Sequence, residues 1–154
     1  MQIRKMIEAD LQAVAELERK IFSNPWSRKS FSDALASSDN CYLTALQEDE
    51  VVGYCGLWCS CECADLCNLA VSGGHRRQGL ARELLRLGFE EVREKGVYRV
   101  LLEVRRSNAS AIALYDGLGF EQIGVRRGYY SDPVEDGILM EKILPHGEMD
   151  GCER

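Results

Sequence analysis

Apolar residues along the chain repeat with the period of a helix in some segments and form short runs in others. The clearest helical repeat extends from 80 to about 95, where apolar residues return every three or four positions before Gly96. Further helices are predicted at 8–22 and 108–117, and Ser27 is a candidate N-cap for a short helix between them. The apolar face of the 80–95 helix consists of Ala81, Leu84, Leu85, Gly88, Phe89 and Val92.

Short apolar runs bounded by polar or glycine-containing turns predict seven strands. They cover residues 1–6, 41–46, 51–59, 62–71, 98–104, 119 to about 127, and 137–143. The predicted order is therefore β-α-α-β-β-β-α-β-α-β-β. This order indicates a mixed sheet with helices on its faces, in the α/β or α+β class.

The length of 154 residues predicts one compact domain, which we assign to 1–144, followed by a polar tail at 145–154. Hydrophobic residues make up 45% of the chain, which is enough for one core. No apolar run reaches the length of a membrane span, and the first ten residues lack the apolar core of a signal peptide. We therefore expect a cytoplasmic protein without a membrane partner.

The chain carries a net charge of −6, which argues against direct binding to nucleic acid. An acidic protein suits a basic partner, such as an amine or a cationic peptide. Composition alone leaves open whether the charge serves a substrate or is simply that of an ordinary acidic protein.

Five of the seven cysteines lie close together in sequence, from Cys55 to Cys67. The C-x-C-x-C spacing of Cys59, Cys61 and Cys63 differs from the C-x-x-C pairs of zinc sites, so we predict no metal site. Alternate residues of a strand share a face, which would place these three thiols on one side of a hairpin end. We expect reduced thiols that pack as small apolar groups.

A glycine-rich turn at 72–79 separates a predicted buried strand from the start of the 80–95 helix. Such a turn presents several backbone N–H groups beside the positive end of a helix. Arg76, Arg77 and Arg82 add positive charge at the same place. The segment is therefore predicted to bind an anion, most suitably a diphosphate.

Two common diphosphate motifs are excluded by the residues of this turn. Gly74 and Gly79 have the spacing of a P-loop, but Leu80 and Ala81 stand where a P-loop needs Lys and Ser or Thr. The glycines also fail the G-x-G-x-x-G spacing of a dinucleotide site. Nucleotide hydrolysis and hydride transfer are therefore disfavoured.

Residues 76–81 instead match Q/R-x-x-G-x-G/A, which resembles the acetyl-CoA loop of the GNAT superfamily of N-acetyltransferases. The segment 108–120 matches Asn-x-x-Ala-x-x-Leu-Tyr-x-x-x-Gly-Phe, a pattern characteristic of the same superfamily. Together with Glu103-Val104-Arg105 and residues 126–130, the resemblance extends to the bacterial ribosomal-protein-alanine N-acetyltransferases and covers about 1–144. The chain departs from this family at Ser72-Gly73-Gly74, where an Asp-Pro is usual, and we expect a looser turn there.

The resemblance implies the GNAT fold, a central mixed but mostly antiparallel sheet of about seven strands flanked by about four helices. It also implies acetyl-CoA as the acetyl donor and no metal. The residues that it assigns to donor binding are Leu69, Ala70, Val71, Arg77, Gln78, Gly79, Leu80, Ala81, Arg82 and Asn108.

Glu103 and Tyr115 are the candidate catalytic residues. From the residues alone, Glu103 pairs as well with Arg105 or Arg99 on the sheet surface, and Tyr115 is as well explained as a core tyrosine. The resemblance assigns Glu103 as the acceptor of the amine proton and Tyr115 as the proton donor to the leaving thiolate.

Trp26 and Tyr129 are the candidate substrate-binding residues, and Asp132, Glu135 and Asp136 are acidic groups able to attract a basic substrate. A covalent route through Cys67 is a minor alternative.

The function predicted by the resemblance is acetylation of the α-amino group of an N-terminal alanine on a small-subunit ribosomal protein. Two alternatives stay open at this point. The acceptor is another amine, such as a lysine, a polyamine or a small molecule, or the chain binds acetyl-CoA as a partner protein without turnover.

Overall fold

The computed structural model describes residues 1–145, in which seven strands and four helices follow the predicted order. The helices are α1 Leu11–Ile21, α2 Arg28–Leu35, α3 Leu80–Glu94 and α4 Ala109–Gly117. The strands are β1 Gln2–Lys5, β2 Cys41–Gln47, β3 Glu50–Ser60, β4 Cys63–Val71, β5 Arg99–Arg105, β6 Glu121–Tyr130 and β7 Glu135–Ile143. Apart from Pro145, the predicted polar tail lies outside the described residues.

All seven strands form one sheet in the order β1-β2-β3-β4-β5-β7-β6. Every neighbouring pair is antiparallel except β4 and β5, which are parallel. The prediction of a mixed, mostly antiparallel sheet of about seven strands is confirmed. β2 and β3 are joined by a tight turn in which Glu48 and Asp49 both have positive φ, as a two-residue hairpin turn requires.

The two parallel strands are paired over only three residues. Cys63 to Asp65 of β4 align with Arg99 to Leu101 of β5, and beyond this point the two strands continue without a shared ladder. From Leu66 to Val71, β4 is paired only with β3 on its other side. A bulge in that ladder, opposite Gly56 and Leu57, leaves Cys67 without a partner residue. The sheet is therefore open along one edge of β4, in its middle.

Helices cover both faces of the sheet. α3 and α4 pack on one face, where the larger core includes Leu57, Leu84, Phe89 and Phe120. α1 and α2 pack on the other face, around the fully buried Phe31 and the neighbouring apolar residues. The predicted apolar stripe of α3 is confirmed, since all of its members except the half-buried Ala81 are buried.

One glycine fixes how closely α3 approaches the sheet. A Cβ at Gly88 would lie 2.9 Å from Cδ1 of Leu57, a distance that real side chains do not tolerate. The absence of a side chain at this position therefore allows α3 to lie directly on β3.

Local capping signals in the sequence are confirmed. Ser27 has extended backbone angles and its hydroxyl accepts from the backbone N–H of Ser30, as expected of an N-cap. Gly96 has φ of +98° just after α3, which explains why the helix ends there. Asn108 caps α4 by accepting from the N–H of Ala111 at 3.2 Å.

Element boundaries differ from the prediction by more than one residue in β6, β7 and α1. β6 reaches Tyr130 and β7 begins at Glu135, because pairing of these two residues extends the hairpin through exposed polar positions that show no apolar alternation. At the N-terminus of α1, residues 8–10 form a separate 3₁₀ turn. Asp10 ends this turn by accepting from the N–H of Ile7 and pairing with Arg4.

The prediction that Cys59, Cys61 and Cys63 share one side of a hairpin is wrong. Cys61 lies in the turn with φ of +58°, which interrupts the strand alternation. Cys59 is opposite Ala64 and packs toward α3, whereas Cys63 is opposite Ser60 and faces the other way. Within residues 1–145, no three His, Cys, Asp or Glu side chains come together as potential metal ligands.

No helix of residues 1–145 is long and apolar enough to cross a membrane.

Candidate active site

A cleft of about 410 Å³ lies where β4 and β5 diverge. Its floor is formed by Leu66 to Leu69 of β4 and Leu102 to Arg105 of β5. Its remaining walls come from α1, the loop between α1 and α2, α4, and the end of β6. The gap in the parallel pairing therefore opens a channel through the sheet, accessible to groups from both of its faces.

Glu103 is a cleft residue on the face of the sheet that carries α1 and α2. Leu102 and Val104 on either side of it belong to the core under α3 and α4, so strand alternation points Glu103 the opposite way. Neither of the arginines suggested by the sequence is its partner, because Arg99 pairs with Glu141 and Arg105 with Glu135.

The cation at Glu103 is Arg126 of β6, whose Nε contacts Oε2 of Glu103. A hydrogen bond to the Glu103 carboxylate also raises the pKa of Tyr129 above its ordinary value. Glu103 thus forms an ion pair, as the sequence suggested, but its partner Arg126 lies 23 positions further along the chain and on a different strand.

Tyr115 is at the opposite wall of the cleft, in α4. Its side chain is buried in the core under α3 and α4, and its ring packs edge-on against Phe120. Burial raises the pKa of Tyr115 to about 12, so the phenol stays protonated throughout the neutral and mildly alkaline range. No group in residues 1–145 forms a hydrogen bond with its hydroxyl.

A buried hydroxyl without a protein partner is costly, since desolvation is not compensated. Tyr115 is therefore a core tyrosine, as the simpler interpretation held, but one whose polar atom faces a cavity rather than a neighbouring side chain. This arrangement suits a hydrogen bond to a ligand in the cleft.

The turn predicted to bind an anion follows β4 directly and ends at Gly79, which has φ of +79° and no side-chain cap. Arg77 also has positive φ, at 65°, so two left-handed residues shape the turn. The first N–H groups of α3, at Leu80, Ala81 and Arg82, precede the first helical hydrogen bond, in which Glu83 N–H donates to the carbonyl of Gly79. This helix start is suited to phosphate.

Residues 77–82 lie outside the cleft itself, beyond the end of β4. Arg77, Gln78 and Gly79 are exposed, and Leu80 is buried beneath them. A Cβ added at Gly117, at the end of α4, would lie 3.2 Å from Nη2 of Arg82. The Arg82 guanidinium therefore lies beside the end of α4. The structure thus separates the predicted donor residues into a group at the phosphate turn and a group along the cleft.

The cleft group consists of the open edge of β4 and Asn108. The side chains of Ala70 and Val71 are buried on opposite faces of the sheet. At the open edge of β4, a ligand would therefore meet the backbone of these two residues. Leu69 and Asn108 line the cleft directly. An extended ligand can add to such an edge as another strand does.

The turn 72–75 that replaces the usual Asp-Pro is held by two contacts. His75 N–H donates to the carbonyl of Ser72 at 2.9 Å, and the Ser72 hydroxyl lies 2.9 Å from Nδ1 of His75. Arg76 then donates to the carbonyl of Val71 at 3.0 Å. One backbone and two side-chain hydrogen bonds thus hold the turn that the sequence predicted to be loose.

Trp26 forms one wall on the α1 side and is fixed by Glu18, a buried carboxylate. The backbone N–H of Trp26 donates to Glu18 Oε2 at 3.0 Å, and the Tyr54 hydroxyl donates to Oε1 at 2.5 Å. The Trp26 ring packs against Phe31 and, edge-on, against Trp58. Glu18 thereby ties the loop between α1 and α2 to the sheet.

The end of β6 forms the wall on the other side. Tyr130 lines the cleft, whereas Tyr129, the residue singled out from the sequence, is half exposed beside it and approaches Glu103. Arg105 stacks over the Tyr130 ring at 4.7 Å and donates to the carbonyls of Ser131 and Pro133. This arginine therefore anchors the loop between β6 and β7.

Two of the three acidic residues predicted to attract a basic substrate are engaged in the fold. Glu135 accepts from Arg105 and from the Ser107 N–H. Asp136 accepts from the Gly128 N–H and pairs with Arg106 at 3.8 Å. Of the three, Asp132 keeps its charge available at the loop tip, whereas Glu135 and Asp136 serve to hold the hairpin.

Most of the chain matches a known protein family. Residues 11–120 match the family model described as the acetyltransferase (GNAT) family. The chain belongs to this family. It is accordingly an acetyltransferase that depends on acetyl-CoA.

Relatives of known name are similar over nearly the whole chain. The ribosomal protein bS18-alanine N-acetyltransferase of Escherichia coli (strain K12) is 37% identical over 142 residues, covering 90% of this chain and 94% of that protein. The N-alpha-acetyltransferase RimI of Mycobacterium tuberculosis is 34% identical over 146 residues, covering 91% and 90%. The crystal structure of the ribosomal-protein-S18-alanine N-acetyltransferase from Escherichia coli has a TM-score of 0.86 at 35% identity and 96% coverage of both chains.

The residues present in this acetyltransferase fit acetyl-CoA on two structural observations. The open edge of β4 offers unpaired backbone to an extended amide-containing arm, and the uncapped start of α3 offers N–H groups to phosphate. Both features are built from backbone.

Sequence reasoning missed Tyr130, Arg126 and the role of Glu18. Glu18 did carry a signal, because it lies on the apolar face of α1 four residues after Val14, and a carboxylate there needs a buried partner. Arg126 and Tyr130 lie in a strand of exposed residues without an apolar pattern, and although the resemblance included residues 126–130, it gave neither of them a role.

Proposed function

We propose that this acetyltransferase transfers acetyl from acetyl-CoA to the α-amino group of an N-terminal alanine, on the ribosomal protein that corresponds to bS18. The named relatives, at 34–37% identity over nine-tenths of the chain, support this acceptor. The observation that supports the chemistry is the cleft in which Glu103 and Tyr115 face each other from opposite faces of the sheet. With a ribosomal acceptor, the reaction belongs in the cytoplasm.

The proposed mechanism uses direct attack of the amine. An α-amine has a pKa of about 8 and is mostly charged at pH 7, so it must lose a proton before it can attack a thioester. Glu103 accepts that proton, directly or through a water, on the face of the sheet where α1 and α2 leave the cleft accessible. Acetyl-CoA supplies the acetyl group as a thioester.

Tyr115 stabilises the sulfur that leaves. A thiol has a pKa of about 8.5, whereas burial raises the pKa of Tyr115 to about 12. The phenol is therefore fully protonated but a weak acid, so its first contribution is a hydrogen bond to the developing thiolate. Transfer of the phenol proton to the sulfur is uphill, because the thiol is the stronger acid of the two, and it is completed only when solvent reprotonates the Tyr115 tyrosinate.

Acetyl-CoA binding is assigned to the phosphate turn with Arg77, Gln78 and Gly79, the helix start with Leu80, Ala81 and Arg82, and the β4 edge with Asn108. Trp26 and Tyr129 are assigned to the acceptor. Trp26 is held by Glu18 at the cleft wall, and Tyr129 lies beside Glu103.

The test is acetylation of a basic peptide that begins with Ala, with mass spectrometry to locate the acetyl group. Competing peptides begin with Ser or Met, and further competitors are an N-terminally blocked lysine peptide and spermidine. We expect product on the α-amine of the Ala peptide. Preferential acetylation of the lysine or the polyamine would overturn the proposed acceptor, and no product from any of them would favour a binding role.

Glu103→Gln tests the chemistry, with Glu121→Gln on β6 as the matched control. Loss of a general base costs 10²–10⁴ in rate, so Glu103→Gln should lower kcat by about that factor. Glu121 is an exposed glutamate outside the cleft, and its variant should retain wild-type kcat. A Glu103→Gln variant within about threefold of wild type would contradict the assignment of the base.

A further inference from the structure

The proton acceptor of this enzyme is already bound to a cation. Arg126 lies opposite Gly137 of β7, and Glu103 lies opposite Leu139, so the Arg126 side chain spans the intervening strand to reach the carboxylate. Two strand spacings amount to about 10 Å. An arginine side chain must be nearly extended to cover that distance. The contact therefore joins residues on two strands that are not adjacent in the sheet.

The position that the guanidinium occupies has the features of a cation-binding site. The Glu103 carboxylate contacts Arg126 on one side, and the Arg126 guanidinium lies 5.6 Å from the centre of the Tyr129 ring. The Tyr129 hydroxyl in turn contacts Glu103. A carboxylate and an aromatic face are also the groups that hold a primary ammonium.

Other charged groups near Glu103 do not take this place. Asp65 and Cys67 of β4 are close, but they are acidic or neutral. Arg105 on the same strand is held by Glu135 and by the carbonyls of the β6–β7 loop. Across the ladder from Glu103, β7 contributes Leu139, and the α1 wall contributes Glu18, which is engaged by Tyr54. Arg126 is the cation that contacts Glu103, and its side chain is 56% exposed.

We propose that Arg126 stands in for the substrate's α-ammonium group, pairing with Glu103 in the free enzyme and leaving the carboxylate when a charged N-terminus enters. This inference rests on the proposed function, because it assumes that Glu103 receives an amine. It adds a specificity-determining residue to that site. Entry of the substrate exchanges one cation for another at Glu103, so the carboxylate is never left uncompensated.

The exchange also gives direction to the reaction cycle. The acetylated N-terminus carries no charge and cannot compete with Arg126 for Glu103. Return of Arg126 therefore favours release of the product. A neutral or blocked N-terminus is rejected for the same reason, because it cannot replace the guanidinium.

The test is calorimetric binding of the Ala-initiated basic peptide to the CoA-loaded full chain, in which no turnover occurs. Arg126→Gln removes the competing cation, and the peptide should bind about two- to fivefold more tightly, the range expected for a partly exposed ion pair. Arg126→Lys keeps the charge and should stay within about twofold of wild type. Arg127→Gln removes the same charge from the next, exposed residue and is the matched control.

A salt series adds a readout that a structural role would not change. Ionic strength near 1 M screens charges beyond about 3 Å, so the difference between wild type and Arg126→Gln should shrink there. Equal or weaker binding by Arg126→Gln would overturn the proposal, as would no measurable binding by any variant. An equal gain in Arg127→Gln would do the same, since it would indicate general electrostatics.

Turnover of the same peptide by wild type is scored separately. Tighter binding by Arg126→Gln without any acetylated product would leave the inference standing and remove the proposed function. Product formation with unchanged binding would do the reverse.

Discussion

The two faces of the sheet contribute to the cleft in different ways. On the face of α3 and α4, the proposed donor side is built mainly of backbone: the open edge of β4, the left-handed Gly79 and the first turn of α3. On the face of α1 and α2, the proposed acceptor side is built of side chains, above all Glu103, Arg126 and Glu18, held by ion pairs and hydrogen bonds. Backbone suits a donor shared by a whole family, whereas side chains are what distinguish one acceptor from another.

The same contrast appears in the two buried tyrosines, Tyr115 on the donor side and Tyr54 on the acceptor side. The Tyr54 hydroxyl donates to Glu18 at 2.5 Å, whereas the Tyr115 hydroxyl faces the cleft without a partner in residues 1–145. One hydroxyl therefore contributes to the fold and the other is available for chemistry.

Exchanging each tyrosine for phenylalanine is the strongest test of this comparison. Tyr115→Phe should lower kcat by about 10²–10⁴, because the leaving sulfur loses its hydrogen-bond donor. The free energy of unfolding should stay the same or rise slightly, since no protein group is left unpaired. Steady-state kinetics and urea unfolding measure both quantities.

Tyr54→Phe is the matched control and should show the opposite pattern. It leaves the buried Glu18 carboxylate with one donor fewer, which costs about 1–3 kcal/mol of stability. If Tyr115→Phe destabilised the protein as much as Tyr54→Phe while kcat stayed within threefold, Tyr115 would be a structural residue.

The two sides also differ in how far the sequence predicts them. The residues proposed to bind the donor lie in three short segments, 69–71, 77–82 and Asn108, because a strand end, a helix start and a helix cap are local structures. The Asn108 cap and the core position of Phe120 were predicted correctly. On the acceptor side, Glu103 contacts Arg126 because their strands are both paired with β7. Trp26 contacts Glu18 because the loop after α1 folds back on that helix. Such contacts depend on register and topology, which no local pattern encodes.

Glu18 provides the next largest expected effect, and it should be confined to the acceptor side. Glu18→Ala leaves the backbone N–H of Trp26 and the Tyr54 hydroxyl without their acceptor, so we expect a loss of about 3 kcal/mol in the free energy of unfolding. Where the protein stays folded, KM for the Ala peptide should rise several-fold, because Trp26 is released from the wall. KM for acetyl-CoA should be unchanged.

Glu16→Ala on the exposed side of the same helix is the control, and both stability and KM should stay near wild type. A rise in KM for acetyl-CoA as large as that for the peptide would show that the two sides are not separable at Glu18.

Two glycines of the phosphate turn test the donor side with the same substitution. Gly79→Ala forces a Cβ into a left-handed conformation, which costs about 1–2 kcal/mol, and acetyl-CoA should bind roughly tenfold more weakly. Gly73 lies in the 3₁₀ turn without positive φ and with open space around its Cα, so Gly73→Ala should stay within about twofold. Calorimetric titration with acetyl-CoA measures both, and equal losses would mean that backbone geometry is not what the turn contributes.

Cys67 is expected to show the smallest effect on rate, although it lies in the bulge of β4 between the two sides. The Cys67 side chain is exposed to solvent, but partial desolvation at the cleft and the nearby negative charges of Asp65 and Glu103 raise the pKa of this thiol above its ordinary value. A raised pKa means little thiolate at neutral pH, so a covalent route through Cys67 is disfavoured and Cys67→Ala should keep kcat within threefold.

Alkylation of Cys67 by iodoacetamide, followed by peptide mass spectrometry, should accelerate about tenfold per pH unit up to at least pH 10. A rate that levels off near pH 9, or a large loss of kcat in Cys67→Ala, would return the thiol to the list of candidate nucleophiles.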